Sequence, residues 1–184
     1  MPTYVALLRG VNLGGHMKIN MEQLRKSLER MGFEDVQTYI QSGNVIFKTG
    51  AVSTAELSRR VEAKILGDFG FSVPVIVRTA AELGKILQNN PFTQHKGIEP
   101  TQLHVFFLSR TPPKAAVEEL EGLRIGTARL RCCGREVYVH TPDGFGRTRL
   151  PNLDKVLSVM ATARNWNTVN QLHERASGRQ SLGS

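Results

Sequence analysis

The sequence predicts an α+β fold of two ferredoxin-like lobes packed as one compact unit. The length of 184 residues suits one globular unit or two small lobes that share an interface. Elements along the first part follow the order β-α-β-β-α-β, and the second part repeats this plan less cleanly. We therefore expect a first lobe over residues 1–79, a helix and connector over 80–100, a second lobe over 101–176 and a flexible tail over 177–184.

The first lobe begins with TYVALLR, a short apolar run typical of a central strand. After a glycine-rich loop, MEQLRKSLERMGF places apolar residues at helical spacing, and we expect Gly32 to end that helix. VQTYIQ and NVIFK are rich in β-formers, which predicts a hairpin across Ser42 and Gly43. Thr54 is expected to cap the second helix, and FSVPVIV to form the last strand.

The position of Pro74 is consistent with the predicted β-α-β-β-α-β order of the first lobe. The last strand of a β-α-β-β-α-β unit lies at an edge of the sheet, and proline is tolerated at edges because it lacks a ladder donor. The second strand, which should form the other edge, is the more polar one. The first and third strands are more apolar, as central strands should be.

The second lobe is predicted to be closed by helices instead of a fourth strand. A helix over 80–87 and the connector NNPFTQHKGIEP lead into the strand QLHVFFL, followed by a helix over 114–123. TARLRC and EVYVH then form a second hairpin. Further helices are expected over about 153–160 and 163–176, with Thr162 as the N-cap of the last helix.

The register of the second hairpin follows from a two-residue turn at Gly134 and Arg135. The ladder then sets three pairs opposite each other: Cys133 with Glu136, Arg131 with Tyr138, and Arg129 with His140. The alternating apolar residues share the other face. We therefore expect the outer face of the hairpin to expose a patch of two arginines, a tyrosine and a histidine.

The charge of the chain favours anionic partners. The formal net charge is +8, and such a charge promotes encounter with nucleic acid and phosphorylated metabolites. Many soluble proteins are basic for solubility alone, so the position of the charge matters. The segment 124–164 has only three acidic residues against eight basic ones: Arg124, Arg129, Arg131, Arg135, Arg147, Arg149, Lys155 and Arg164. This surplus predicts an electropositive surface, although a solvated arginine face is the alternative.

The two cysteines, Cys132 and Cys133, are neighbours on a predicted strand and cannot easily bridge each other. No Cys–His set has zinc spacing, so no metal or cofactor is expected. Cys133 would face outward near arginines, which could lower its pKa. The sequence shows neither a signal peptide nor an apolar run that spans a bilayer, so we expect a cytoplasmic protein without a membrane partner.

Two further stretches could bind an anion. RGVNLGG places glycines between a strand and a helix, with Arg9 and Lys18 beside them, although its spacing matches neither a P-loop nor GxGxxG. Its alternative reading is a tight turn whose glycines need positive φ. In TARNWNTV, Arg164 and Asn165 would lie at a helix start that suits an anion, or form a carboxylate bridge and a cap. Trp166 begins an apolar stripe that predicts a core anchor.

Four separated motifs, YVALLRGVNLGG, TYIQSGNVIF, NPF and TARNWNTVNQL, together resemble domain-of-unknown-function family 1697, a family of uncharacterised bacterial proteins. The resemblance implies an α+β fold with two ferredoxin-like lobes. It implies no activity and no catalytic residue. The positions that carry the motifs are Arg9, Asn12, Gly14, Gly15, Tyr39, Ser42, Gly43, Asn44, Arg164, Asn165, Trp166 and Thr168.

The leading functional hypothesis is binding of an anionic ligand, either a phosphorylated small molecule or nucleic acid, by a protein without recognisable catalytic machinery. The candidate ligand-binding residues are Arg9, Asn12, Gly14, Gly15, Lys18, Tyr39, Ser42, Asn44, Arg129, Arg131, Tyr138, Arg147, Arg149, Arg164 and Asn165.

Two alternatives remain. The first is an enzyme that acts on a small phosphorylated substrate in a cleft between the lobes, where four side chains would converge: Arg9, Asn12, Tyr39 and Arg164. The second is a structural or protein-interaction module, either a monomer or a weak homodimer. In that case Tyr39 and Ile46 would share an open sheet face, opposite to Ile40, Val45 and Phe47.

Overall fold

A computed structural model describes residues 1–178, and the rest of the predicted tail lies outside the described residues. The chain divides into two units. The first comprises Met1–Gly84 together with the segment that begins at Gln171, and the second comprises Lys85–Asn170. Each unit contains one four-stranded antiparallel sheet and its helices. The predicted α+β architecture with two lobes is confirmed.

The first unit has the predicted β-α-β-β-α-β order. Its elements are β1 (Thr3–Leu8), α1 (Met21–Glu29), β2 (Glu34–Tyr39), β3 (Asn44–Lys48), α2 (Thr54–Phe69) and β4 (Val75–Thr79), after which α3 (Ala80–Gln88) begins. The strand order in the sheet is β2-β3-β1-β4. Strands β2 and β4 are therefore the edges, as predicted, but Pro74 lies just before β4 and not inside it.

Helices α1 and α2 cover one face of the first sheet. Leu24 and Leu28 of α1 and Ile65 of α2 are completely buried in the same cluster as Phe47 of β3. Phe33 stacks on Phe47 with 4.4 Å between ring centroids. The apolar spacing of the two helices thus supplies one face of this core.

The start of α2 and the end of α1 each differ slightly from the sequence prediction. The N-cap of α2 is Ser53, whose Oγ accepts a hydrogen bond from the backbone N–H of Glu56 at 3.1 Å, and Thr54 is the first helical residue. Helix α1 ends at Glu29, and Gly32 follows in a left-handed conformation. Serine and threonine are both good caps, so sequence alone did not separate the neighbouring positions.

The second unit repeats the same topology. Its elements are β5 (Leu103–Leu108), α4 (Lys114–Gly122), β6 (Arg129–Cys133), β7 (Glu136–His140), α5 (Leu153–Leu157) and β8 (Ala161–Asn165), after which α6 (Trp166–Ala176) begins. The strand order is β6-β7-β5-β8. Helices α4 and α5 cover one face of this sheet, where Leu120 and Leu157 are buried with Val137 and Val139.

The prediction that helices close the second lobe is wrong. Residues 161–165 form a fourth strand, which pairs antiparallel with β5 along its whole length. Thr162 lies inside this strand and is not a cap. The N-cap position is instead taken by Asn165, whose Oδ1 accepts a hydrogen bond from the backbone N–H of Thr168 at 2.8 Å. Pairing with the outer edge of β5 outweighs the weak strand propensity of alanine and asparagine.

The apolar stripe that begins at Trp166 is confirmed. Trp166, Val169, Leu172 and Ala176 are all buried along α6. Tryptophan is therefore a core anchor in this helix and not an exposed ligand contact. None of the helices in residues 1–178 combines the length and the apolar composition that a bilayer crossing requires.

Candidate anion-binding site

The predicted register of the second hairpin is confirmed, with Cys133 opposite Glu136, Arg131 opposite Tyr138, and Arg129 opposite His140. The predicted exposed patch is only half correct. Tyr138 is 1% exposed, and its hydroxyl donates a hydrogen bond to the backbone carbonyl of Ile86 at 2.8 Å. Burial raises the pKa of Tyr138 far above its ordinary value.

His140 is half-buried, and its Nε2 lies 3.1 Å from Oε1 of Gln102. Burial, followed by the charges of Arg129 and His95, lowers the pKa of His140. Of the four patch residues only Arg129 and Arg131, on the edge strand β6, are exposed. Residues 85–92 supply the Ile86 carbonyl and the Phe92 ring that contact Tyr138 and His140, and a prediction from the hairpin alone misses them.

Three arginines of the second unit line one groove of about 430 Å³. We call it the three-arginine groove, after Arg124, Arg147 and Arg149. Arg124 lies on the loop before β6, whereas Arg147 and Arg149 lie on the loop after β7. The hairpin brings these two loops to the same end of the sheet, which is how residues distant in sequence meet.

Side-chain contacts hold the two loops of this groove in place. The Thr127 hydroxyl donates a hydrogen bond to the Asp143 carboxylate at 2.6 Å, which ties one loop to the other. Phe145 stacks on His104 of β5 with 3.8 Å between ring centroids. The buried Nδ1 of His104 has no hydrogen-bond partner, and desolvation lowers the pKa of this residue to about 4.

A second groove, of about 320 Å³, lies beside β6 in the same unit. We call it the two-arginine groove, after Arg129 and Arg131, and His95 also lines it. Leu123 lines both grooves and is 41% exposed, so the two grooves adjoin at this residue.

The five groove arginines have no acidic partner. Among residues 1–178, no carboxylate oxygen lies within 4.0 Å of a guanidinium nitrogen of these side chains: Arg124, Arg129, Arg131, Arg147 and Arg149. Each groove is lined by one carboxylate that already accepts a hydrogen bond, Asp143 from Thr127 and Glu121 from the backbone N–H of Cys132. The predicted electropositive surface stays a prediction.

Several cations of the first unit do have acidic partners. Lys48 contacts Asp35 at 2.9 Å, Arg30 contacts Asp68 at 3.4 Å and Arg59 contacts Glu56 at 2.6 Å. These pairs are exposed and contribute little stability, but they neutralise their own cations. These three cations thus differ from the five groove arginines, which have no acidic partner among residues 1–178.

The motif residue Asn12 holds its loop together. Its Nδ2 donates hydrogen bonds to the backbone carbonyls of Ile19 at 3.1 Å and Gln41 at 2.7 Å, and its Oδ1 accepts one from the N–H of Ile19 at 2.9 Å. Gly14 and Gly15 both have positive φ, which fits the tight-turn interpretation of this stretch. Anion binding by this loop, with Arg9 and Lys18, stays a prediction.

The second motif packs its turn against the same loop. Gly43 has φ +83°, and a Cβ there would lie 2.6 Å from Cγ2 of Val11 and 2.8 Å from Cβ of Leu8. The buried Asn44 side chain donates hydrogen bonds to the carbonyl of Tyr39 and the hydroxyl of Ser42. Glycine and asparagine are thus required here by backbone geometry, which explains these motif positions without a ligand.

The face assignment of the first hairpin is correct for Val45 and Phe47 but wrong for Ile40. Ile40 lies beyond the end of β2, has φ 51° and is 49% exposed, so it does not share the helix-covered face. Ile46 is only 3% exposed, and Arg175 lies over the Tyr39 ring with its guanidinium carbon 4.6 Å from the centroid. The face of Tyr39 and Ile46 is therefore partly covered, and the homodimer stays a prediction.

Arg164 does not lie at a helix start, contrary to the prediction. It is 7% exposed on β8, and its guanidinium donates hydrogen bonds to the Thr162 hydroxyl at 2.9 Å and the Ala163 carbonyl at 2.8 Å. Burial lowers its pKa to about 10. Asn165 is the cap of α6, so its side-chain oxygen is already used. The convergence of Arg9, Asn12, Tyr39 and Arg164 on a substrate stays a prediction.

The surroundings of the two cysteines disfavour the thiolate. Burial, together with Glu121 and Glu136, raises the pKa of Cys133, and the opposing effect of Arg131 is smaller than that of burial. The predicted lowering of this pKa is therefore wrong. Among residues 1–178, no group of three or more histidine, cysteine, aspartate or glutamate side chains could hold a metal ion.

The fold defines an α+β protein of two ferredoxin-like lobes. The family described as "Protein of unknown function (DUF1697)" matches residues 1–138, and the chain belongs to this family. No curated protein matches the chain.

Among solved structures, the conserved bacterial protein SP0830 from Streptococcus pneumoniae is similar, with 21% sequence identity and a TM-score of 0.76. The match covers 95% of this chain and 98% of that chain. At this identity the likeness shows the fold alone.

Proposed function

We propose that the protein binds an anionic ligand and that the three-arginine groove holds a phosphate group of this ligand. The observation that carries the proposal is the set of three groove arginines without an acidic partner in residues 1–178. Arginine presents a planar fork of donors that matches two phosphate oxygens at once. The donors of these three guanidinium groups have no acidic partner among residues 1–178.

The size of the groove supports this proposal. Its volume of about 430 Å³ lies within the range of ordinary small-molecule sites. Asp143 is the acidic residue in its lining, and its hydrogen bond with Thr127 keeps that carboxylate engaged. The local charge balance therefore favours an anion over a cation. We also propose a cytoplasmic location, because the adjacent cysteines are free thiols.

Calorimetric titration with inorganic pyrophosphate at low ionic strength tests the proposal. We expect the Arg147→Gln/Arg149→Gln variant to lose at least about tenfold in affinity, because a charge-assisted hydrogen bond contributes about 1.5–3 kcal/mol. The matched control is Arg30→Gln/Arg59→Gln, which removes the same charge from ion-paired sites of the first unit. Equal weakening in both variants, or no binding by the unaltered protein, would contradict the proposal.

A further inference from the structure

We propose that the two grooves form one continuous binding track for a single-stranded nucleic acid, with the backbone of the strand crossing Leu123. This inference rests on the proposed function and names its ligand class. The shared lining residue is the first observation, since Leu123 belongs to both grooves. A ligand that fills one groove therefore meets the other directly.

The number of unpaired arginines points to a ligand with several phosphates. The three-arginine groove alone could hold one phosphorylated group. The exposed Arg129 and Arg131 add two further cations on the edge strand β6, in the adjoining groove. A polyanion with a repeating phosphate backbone uses both sets of arginines and releases counterions from each contact.

The position of these arginines argues against duplex DNA read through its major groove. Such reading requires a projecting helix or a two-stranded ribbon. Helix α4, which leads to this region, carries three glutamates at Glu118, Glu119 and Glu121, and α5 spans only five residues. Strand β7 lies inside the sheet between β6 and β5, so the hairpin is not a free ribbon.

The sheet face itself is not available for base stacking. Val105 and Tyr138, on the two central strands, are completely or almost completely buried. An RNA-recognition motif instead exposes aromatic residues on its central strands. Contacts to unpaired bases are therefore left to the half-exposed Leu123, to the exposed His95 and to the planes of the groove guanidiniums.

Fluorescence anisotropy with labelled oligothymidylates of about 4, 8 and 16 nucleotides tests this inference. We expect affinity to rise with length until the strand covers both grooves. The logarithm of the affinity should fall with the logarithm of salt concentration with a slope of about −3.5, if all five arginines contact phosphates of a single strand. A duplex of matching length should bind more weakly.

The decisive variant is Arg129→Gln/Arg131→Gln. We expect it to weaken binding of the longest strand at least about tenfold and to reduce the salt slope to about −2. Pyrophosphate binding in the other groove should change by less than about twofold, because the altered residues line only the two-arginine groove. The control is again Arg30→Gln/Arg59→Gln.

The results separate this inference from the proposed function. If Arg129→Gln/Arg131→Gln leaves strand binding and its salt slope unchanged, or if duplex binds more tightly, the continuous track is wrong. The proposed function still holds in that case, provided that the Arg147→Gln/Arg149→Gln variant binds pyrophosphate more weakly than the unaltered protein. If pyrophosphate and oligothymidylate binding are both insensitive to all four arginines, the proposed function fails as well.

Discussion

At the scale of the residue, His104 links the second sheet to the loop that carries Arg147 and Arg149. Its ring stacks on Phe145, and its Nδ1 is buried without a partner. Desolvation lowers its pKa to about 4, against about 6.5 in an unfolded chain. Between these values the unfolded chain binds a proton that the folded protein does not. This residue therefore makes the free energy of unfolding fall as pH falls from about 6.5 to about 4.

Thermal unfolding at pH 7 and at about pH 4.5 checks this effect. We expect the Tm of the unaltered protein to fall more between the two pH values than that of His104→Phe, which keeps a ring against Phe145 but cannot titrate. His140, whose pKa is also lowered, titrates in both proteins and cancels in the comparison. An identical fall in Tm in both proteins would show that the folded state does not lower the pKa of His104.

Single residues also show where sequence reasoning succeeded and where it stopped. The positions of Arg129 and Arg131 followed from the alternation of a hairpin, which is a local rule. The burial of Tyr138 depends on Ile86, which is 52 positions away. The grouping of Arg124 with Arg147 and Arg149 likewise needs the ends of two loops to meet. A local sequence pattern predicts on which face of the sheet a side chain lies, but it does not predict which distant residues cover that face.

At the scale of the element, β8 shows why the second topology was harder to predict than the first. Its sequence ATARN has a single β-branched residue, Thr162, and no aromatic residue, whereas VIVRT of β4 is rich in valine and isoleucine. Yet the two strands share a pattern. Arg78 pairs with Val5, and Arg164 pairs with Val105, at the third position of the first strand in each unit.

The residue after each arginine caps the next helix, which completes the repeated pattern. The backbone N–H of Glu82 donates to Oγ1 of Thr79, and that of Thr168 donates to Oδ1 of Asn165. A comparison of the two halves around this arginine-and-cap pair was the signal that could have identified β8. The ferredoxin-like order of the first unit needed no such comparison, because β1, β3 and β4 are rich in apolar and β-branched residues.

The turn between β2 and β3 provides a prediction about how elements pack. Gly43→Ala places a methyl group within 3 Å of Val11 and Leu8 at a positive φ. Gly134→Ala is the matched control, because it also has positive φ but meets no atom within 4 Å. We expect a loss of about 1–2 kcal/mol for the control and clearly more for Gly43→Ala, measured by denaturant unfolding. Equal losses would mean that the two loops can move apart at little cost.

At the scale of the whole molecule, one set of arginines is expected to bind ligand and another to stabilise the fold. The five groove side chains make no ion pair or hydrogen bond in residues 1–178, so they contribute little to stability. Arg78 and Arg164, by contrast, are buried and hydrogen-bonded. Substitution of a buried, hydrogen-bonded arginine should therefore lower the free energy of unfolding. Substitution of the groove arginines should instead weaken ligand binding.

The rise in Tm that a bound ligand causes tests this division of roles on the intact chain. A variant with glutamine at four groove positions, Arg129, Arg131, Arg147 and Arg149, should unfold within a few degrees of the unaltered protein, because surface substitutions change stability by only about 0.5 kcal/mol each. Inorganic polyphosphate at about 100 times its Kd should stabilise the unaltered protein by about 2.7 kcal/mol and raise its Tm by several degrees. The variant should show almost no rise. A rise of the same size in both proteins would place the anion site elsewhere on the chain, and a large loss of Tm in the variant without ligand would make the groove arginines structural.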